Sequence, residues 1–242
     1  IYYTTCHIDS VVYYSYMSTF YVIATPIGNL EDITLRAIRI LKEVDIVLCE
    51  DTRVTKRLFE RHGISTPLLS YHVKSGEAKV NLILEKISES KNIALVTDAG
   101  TPGISDPGSL LISKIRETYP ELSIISIPGP SALTGALSIS GVPIHEFIFL
   151  GFMPHKKGRE TLFKEIAESK RTFVFYESTH RILKTLESLK NVNRKVTIVR
   201  ELTKIYEEVL QGSADEILKI LTGTPEKQKG EFVVIVSEYG LK

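Results

Sequence analysis

At 242 residues, 43% hydrophobic and 24% charged, the chain has the balance of a folded protein with room for one large domain or two small ones. A net charge of +1 excludes a nucleic-acid binder that works by bulk basicity, and the split between residues 1–130 (13 Lys and Arg, 15 Asp and Glu) and 131–242 (17 and 14) is mild. Cys6 and Cys49 form no CxxC unit, no HxxxH spacing offers a zinc site, and no apolar run spans a bilayer, so a metal-free, membrane-free cytoplasmic protein is expected.

In chain order, residues 1–19 are rich in Tyr, Ser and Thr; Met17 is expected to be the natural start, with 1–16 outside the fold. Strands are expected near 20–25, 45–50, 68–71, 93–97 and 122–127, where β-branched residues cluster. Between the first two, Leu35, Ile38, Leu41, Ile40 and Val44 recur at helical spacing over 33–44. A second series follows, with strands near 147–150, 172–177, 195–200 and 231–237 and helices over 131–140, 159–168, 179–189 and 213–221. Alternating β and α predicts an α/β fold of two tandem domains, 20–129 and 130–242, with largely parallel sheets covered on both faces.

Ligands of open α/β sheets bind beyond the carboxyl ends of strands, so the loops there carry the chemistry. In this chain they read TPIGNLED (25–32), CEDTR (49–53), TDAGTPGISDPG (97–108), PGPSA (128–132), GFMP (151–154), ESTHR (177–181), RELTK (200–204) and KGEF (229–232). Gly100, Gly103 and Gly108, interleaved with Pro102 and Pro107, suit a stiffened loop with amide donors turned towards an anion, or simply a tight turn. No GxGxxG follows the first strand and no GxxxxGK[ST] occurs, which argues against a dinucleotide oxidoreductase and a P-loop NTPase.

In this order and spacing, the motifs from TPIGNLED to RELTK resemble the tetrapyrrole methylase superfamily over residues 20–238, and within it the branch acting on ribosomal RNA. The resemblance implies two domains with S-adenosylmethionine in the cleft between them, 2′-O-methylation of a cytidine in 16S rRNA of the small ribosomal subunit, and a homodimer. It implies cofactor contacts from Pro26, Ile27, Gly28, Asp98, Gly100, Thr101, Ile104, Ser131, Ala132, Tyr176, Glu201 and Gly230. Many members continue beyond the position of Lys242 into a further helical segment, which puts the grip on the ribosomal subunit in question.

Methyl transfer to a ribose hydroxyl needs in-line positioning and a general base. Candidates are Asp51, Asp106, Glu177, His180 and Glu201. His180 is of a residue type suited to the task but equally suits a helix-packing role, and Glu177 suits positioning of a ligand or an arginine. Arg53, Arg181, Arg200 and Lys204 follow strands and are expected to hold RNA phosphates, though each alone also suits a surface ion pair. Cys49, followed by Glu50, is expected to be a buried strand residue, and His7, His62, His72, His145 and His155 are expected in surface or packing roles. The competing readings are a methylase of a macrocycle or protein side chain, and an RNA-binding module without catalysis.

Overall fold

The computed structural model describes residues 18–238 apart from Val73 and Pro107. The expectations for the 1–16 tail, Met17, Cys6 and His7, and the stiffening assigned to Pro107, lie outside the described residues.

The chain divides into two compact units, one formed by described residues up to 25 and by 33–129, the other by 26–32 and 130–238. In the first unit, β1 (Thr19–Ile23), β2 (Ile46–Cys49), β3 (Leu68–Ser70), β4 (Ile93–Leu95) and β5 (Ser123–Ile127) form a parallel sheet in the order β3-β2-β4-β1-β5. Four helices cover it: α1 (Leu35–Glu43), α2 (Thr52–His62), α3 (Glu77–Ser88) and α4 (Ser109–Thr118). One face packs on α1 and α2 through Ala37, Ile40, Leu41, Leu58 and Phe59, the other on α3 and α4 through Ile83, Ile87, Leu111 and Ile115. A sheet buried on both faces explains the nearly continuous apolar strands.

The ends of α1 and α2 are written in the sequence. Thr34 accepts the Ala37 N–H at the start of α1; Asp51 accepts the Arg53 N–H at the start of α2, which stops at Gly63 with φ 60°. One detail of α1 differs from the periodicity: Leu35 is 85% exposed, and Ala37, Ile40 and Leu41 face the core instead. Leu35 is the first helical residue, ahead of the turn that meets the sheet.

In the second unit, β6 (Phe147–Phe152), β7 (Thr172–Ser178), β8 (Val196–Arg200), β9 (Glu208–Gly212) and β10 (Glu231–Val236) form a sheet in the order β6-β7-β10-β8-β9. Only β6 and β7 run parallel; the other neighbours are antiparallel. The largely parallel sheet expected there is therefore corrected to a mixed one. Its helices are α5 (Ala132–Ile139), α6 (Arg159–Glu168), α7 (Ile182–Leu189) and α8 (Ala214–Gly223). β9 has no counterpart in the expected strands because it is an edge strand whose only buried side chain is Leu210, too little for an apolar run. α7 starts three residues later than expected, since the Thr179 hydroxyl donates to the Gly230 C=O and accepts from the Gly230 N–H, each at 2.8 Å. Among the described residues no helix is long and apolar enough to cross a membrane, and no group of His, Cys, Asp or Glu could hold a metal ion.

Candidate active site

The first unit has its topological switch point between neighbours β4 and β1. The chain leaves β1 for β2 past one side of the pair and leaves β4 for β5 past the other, so their carboxyl ends open a crevice. There Thr25 and Gly100 pair as an isolated antiparallel bridge, with N–H to O distances of 2.9 and 3.0 Å, and Thr25 Oγ1 donates to Thr97 O at 3.0 Å. Gly100, Gly103 and Gly108 have φ of 81°, 84° and 139°, the left-handed region in which a side chain is strained. The loop ends at α4, whose N-terminus has no side-chain cap, so its amide donors remain available to an anion. Thr101 is half-buried and Ile104 is 48% exposed, an apolar side chain left at the loop's surface.

Beside this loop the ends of β2, β3 and β4 enclose an open depression of about 600 Å³, lined by Glu50, Asp51, Thr52, Arg53, Ser70, His72, Lys74 and Asp98. Asp98 anchors it by accepting the Asp51 N–H at 3.0 Å. Asp51 caps α2 and grips Arg53 through three contacts of 2.6–3.1 Å, and these bonds hold its carboxyl down to about 2. Asp106 is the opposite case: burial, then the charges of Glu50 and Asp98, push its carboxyl up to about 6. Burial, with Asp98 next, also raises Glu50. Cys49 is wholly buried and burial pushes its thiol up, which suits an inert strand residue. Glu50, Ser70, His72 and Lys74 are site residues beyond those expected from the sequence; Ser70, His72 and Lys74 come from the end of the third strand and the loop after it, and Glu50 lies inside CEDTR.

In the second unit the ends of β7 and β8 and the start of β10 converge, because β10 runs antiparallel to both. Glu201 (φ 51°) accepts from Lys204 Nζ and from the Glu231 N–H, both at 2.9 Å. Burial alone would raise its carboxyl, but Lys204 and that amide outweigh it and hold it below the usual range. Gly230, at φ 118°, lies so close that a Cβ there would sit 2.6 Å from Glu201 Cγ. The adjoining turn is wedged between two further glycines: a Cβ on Gly28 would sit 2.6 Å from Lys204 Cγ, and one on Gly135 2.9 Å from Leu202 Cδ2. Gly28, Glu201 and Gly230 are thus gathered at one end of the sheet, with Pro26 buried and Ile27 half-buried in the same segment as Gly28. α5, which carries Gly135, begins at Ala132 after Ser131, again without a side-chain cap. Tyr176 stands on β7, edge-on to Phe149 and Phe152 with ring centroids 5.1 and 5.4 Å away.

Two of the four expected phosphate contacts have their guanidinium groups engaged within the protein. Arg200 is 8% exposed and spends its guanidinium on three carbonyls, Lys229, Tyr206 and Glu226, at 2.8–3.1 Å. Arg181 pairs with Glu177 at 2.8 Å and donates to Met153 O at 2.6 Å. Glu177, 1% exposed, also faces Arg159 at 3.7 Å and accepts from Thr185 Oγ1 at 2.7 Å, so this carboxylate fastens two arginines. Lys204 is tied to Glu201 and Glu231, Arg53 is exposed beside Asp51, and His180 is exposed in the turn before α7.

These elements match known proteins over nearly the whole chain. The family described as Tetrapyrrole (Corrin/Porphyrin) Methylases matches residues 19–218. Ribosomal RNA small subunit methyltransferase I of Halalkalibacterium halodurans is 46% identical over 228 residues, covering 93% of this chain and 77% of that protein. The protein of the same name from Thermotoga maritima is 42% identical over 91% of this chain and 99% of its own length. Among solved structures, a cobalt precorrin-4 methyltransferase superposes with a TM-score of 0.66 at 17% identity, covering 92% of this chain and 95% of that one. Diphthine synthase superposes with 0.67 at 14%, covering 93% and 91%. At such identities these two speak for the fold alone, whereas the sequence matches speak for kinship: the chain belongs to the tetrapyrrole methylase family.

Proposed function

We propose that this chain is an S-adenosylmethionine-dependent methyltransferase whose acceptor is a ribose 2′-hydroxyl of a cytidine in small-subunit ribosomal RNA. The observation that carries the substrate class is the identity above 40% to proteins named ribosomal RNA small subunit methyltransferase I, one of them matched over 99% of its length. S-adenosylmethionine, when bound, supplies an activated methyl group and a neutral leaving group. The residues of the first unit fit such a molecule: the uncapped start of α4 offers amide donors to a carboxylate, and Asp98 offers a carboxylate to a cation. A homodimer belongs to the same reading.

The acceptor hydroxyl needs its proton drawn away, and Asp106 is the side chain we assign to that task. Its carboxyl is held at about 6, so at neutral pH it is ionised yet more basic than an ordinary aspartate. Asp51 is held at about 2 by Arg53, and Glu177 and Glu201 are engaged by cationic neighbours.

The test is methyl transfer from radiolabelled S-adenosylmethionine to small ribosomal subunits from cells lacking the corresponding gene, followed by mass-spectrometric mapping of the RNA. One new ribose methyl on a cytidine is expected. Methylation of a porphyrin precursor or of protein, with none on RNA, would overturn the reading.

A further inference from the structure

Phe152 is a large aromatic side chain held 55% exposed by a defect in its own strand. On β6, Phe149 pairs with Val174 of β7, and Phe152 pairs with Tyr176, so three steps on one strand match two on the other. The extra residue is a β-bulge, and Gly151, at φ 63°, occupies it. Strict alternation would turn Phe152 to the face of Ile148 and Leu150, which pack against the core formed with α6 and α7. The bulge instead brings it to the face of Phe149 and Tyr176, where its ring stands edge-on to Tyr176 and keeps more than half its surface in solvent.

The chain that follows is exposed and basic: His155, Lys156 and Lys157. Neither lysine forms an ion pair among the described residues, unlike Lys204. Yet the loop's base is fixed. Arg181 donates to Met153 O at 2.6 Å and the buried Arg159 to Pro154 O at 3.3 Å, both arginines being held by Glu177. The Arg159 N–H closes the turn on Lys156 O at 3.2 Å, beside Gly158 at φ 83°. The two arginines thus fix the base of this loop and leave its exposed side chains free.

We propose that the loop 152–157 is a contact for unpaired RNA, in which Phe152 stacks on a base and Lys156 and Lys157 hold the flanking phosphates. The inference rests on the reading of the chain as an RNA methyltransferase and adds to it the surface that grips the strand. An exposed aromatic face followed by unpaired cations is the combination that single strands select, since every base has a π-face and every linkage a charge.

Fluorescence anisotropy with a labelled single-stranded RNA, titrated over a range of salt, tests this on the whole protein. Lys156→Ala with Lys157→Ala is expected to flatten the slope of log affinity against log salt by about 1.4, as two lost phosphate contacts on a single strand require. Phe152→Ala is expected to weaken binding on the order of tenfold without changing the slope, and Phe152→Trp to restore it. Cofactor affinity of the same variants distinguishes the two sources of a stacked base. If Phe152→Ala loses S-adenosylmethionine and keeps RNA, the ring serves the adenine and the proposal is overturned. If all variants bind RNA as the parent does while the parent methylates ribosomal subunits, the loop assignment fails and the methyltransferase reading stands. A parent protein that binds no single-stranded RNA overturns the loop assignment, and one that in addition leaves ribosomal subunits unmethylated sinks both.

Discussion

Thr25 and Gly100 exchange both of their backbone hydrogen bonds, an antiparallel clasp between two segments that leave a wholly parallel sheet side by side. It fixes the loop after β4 at the switch point, and Gly100 can make it because its φ of 81° carries no side chain. Gly100→Ala is expected to cost about 1 kcal/mol or more of stability from the left-handed backbone alone. Calorimetric titration should also show S-adenosylmethionine binding at least several-fold more weakly. Unchanged affinity would remove this loop from the cofactor site.

Asp106 makes a pH prediction with a definite sign. Its carboxyl is raised in the folded protein from an ordinary 3.8 to about 6, so the fold binds this proton more tightly than the unfolded chain does. The stability this contributes is fully present below pH 3.8 and is lost as the pH rises through about 6. Above that the ionised group costs stability, about 1 kcal/mol once solvent screening of a half-buried site is discounted. Asp106→Asn should therefore raise the urea midpoint at pH 8 and lose that advantage towards pH 4. The same substitution should lower kcat by about a hundredfold or more and abolish a rise in kcat centred near pH 6, the pattern of a lost base.

Glu177 should behave as a structural anion. Its carboxylate lies at 1% exposure between Arg159 and Arg181, so Glu177→Gln leaves two guanidinium groups without their countercharge. Removing one side of a buried pair costs about 3–5 kcal/mol, and thermal unfolding should show a loss of that size. A variant with unchanged stability and reduced kcat would instead make Glu177 a group that meets the substrate.

Gly230 is held against Glu201 more closely than any side chain allows. Gly230→Ala adds a Cβ 2.6 Å from Glu201 Cγ on a backbone at φ 118°, so the Glu201–Lys204 pair must shift. We expect a loss of about 2 kcal/mol in denaturant titrations, of the size overpacking gives, together with weaker cofactor binding. Intact cofactor affinity at reduced stability would confine this corner to a structural role.

The strands and helices were largely legible because each is a local pattern: β-branched runs for the sheets, a threonine or aspartate before α1 and α2, a glycine after α2. What failed to show depends on partners distant in sequence. Arg181 and Arg200 follow strands just as surface cations do, and only the Met153 carbonyl for Arg181 and three carbonyls from two other segments for the buried Arg200 reveal them as engaged. β9 hides because an edge strand needs only Leu210 to hold it to the core. The bulge at Gly151 is equally invisible, since a register shift belongs to two strands and a sequence presents one. Of the candidate site, the loops that supply it were readable, but the state of each acid was not: Asp106 is buried beside two carboxylates, whereas Asp51 is hydrogen-bonded to Arg53.

The seven residues 26–32 are grouped with the second unit although the segments on either side of them belong to the first. Dissection of the gene must reckon with this. A fragment cut to begin at residue 130 would lack Gly28 and strip the Leu202–Lys204 turn of its covering, while a fragment ending at 129 would carry that covering with nothing to cover. Anyone wishing to produce the halves separately would do better to shorten 26–32 to a plain linker in the first and graft the segment, as an added peptide, onto the second.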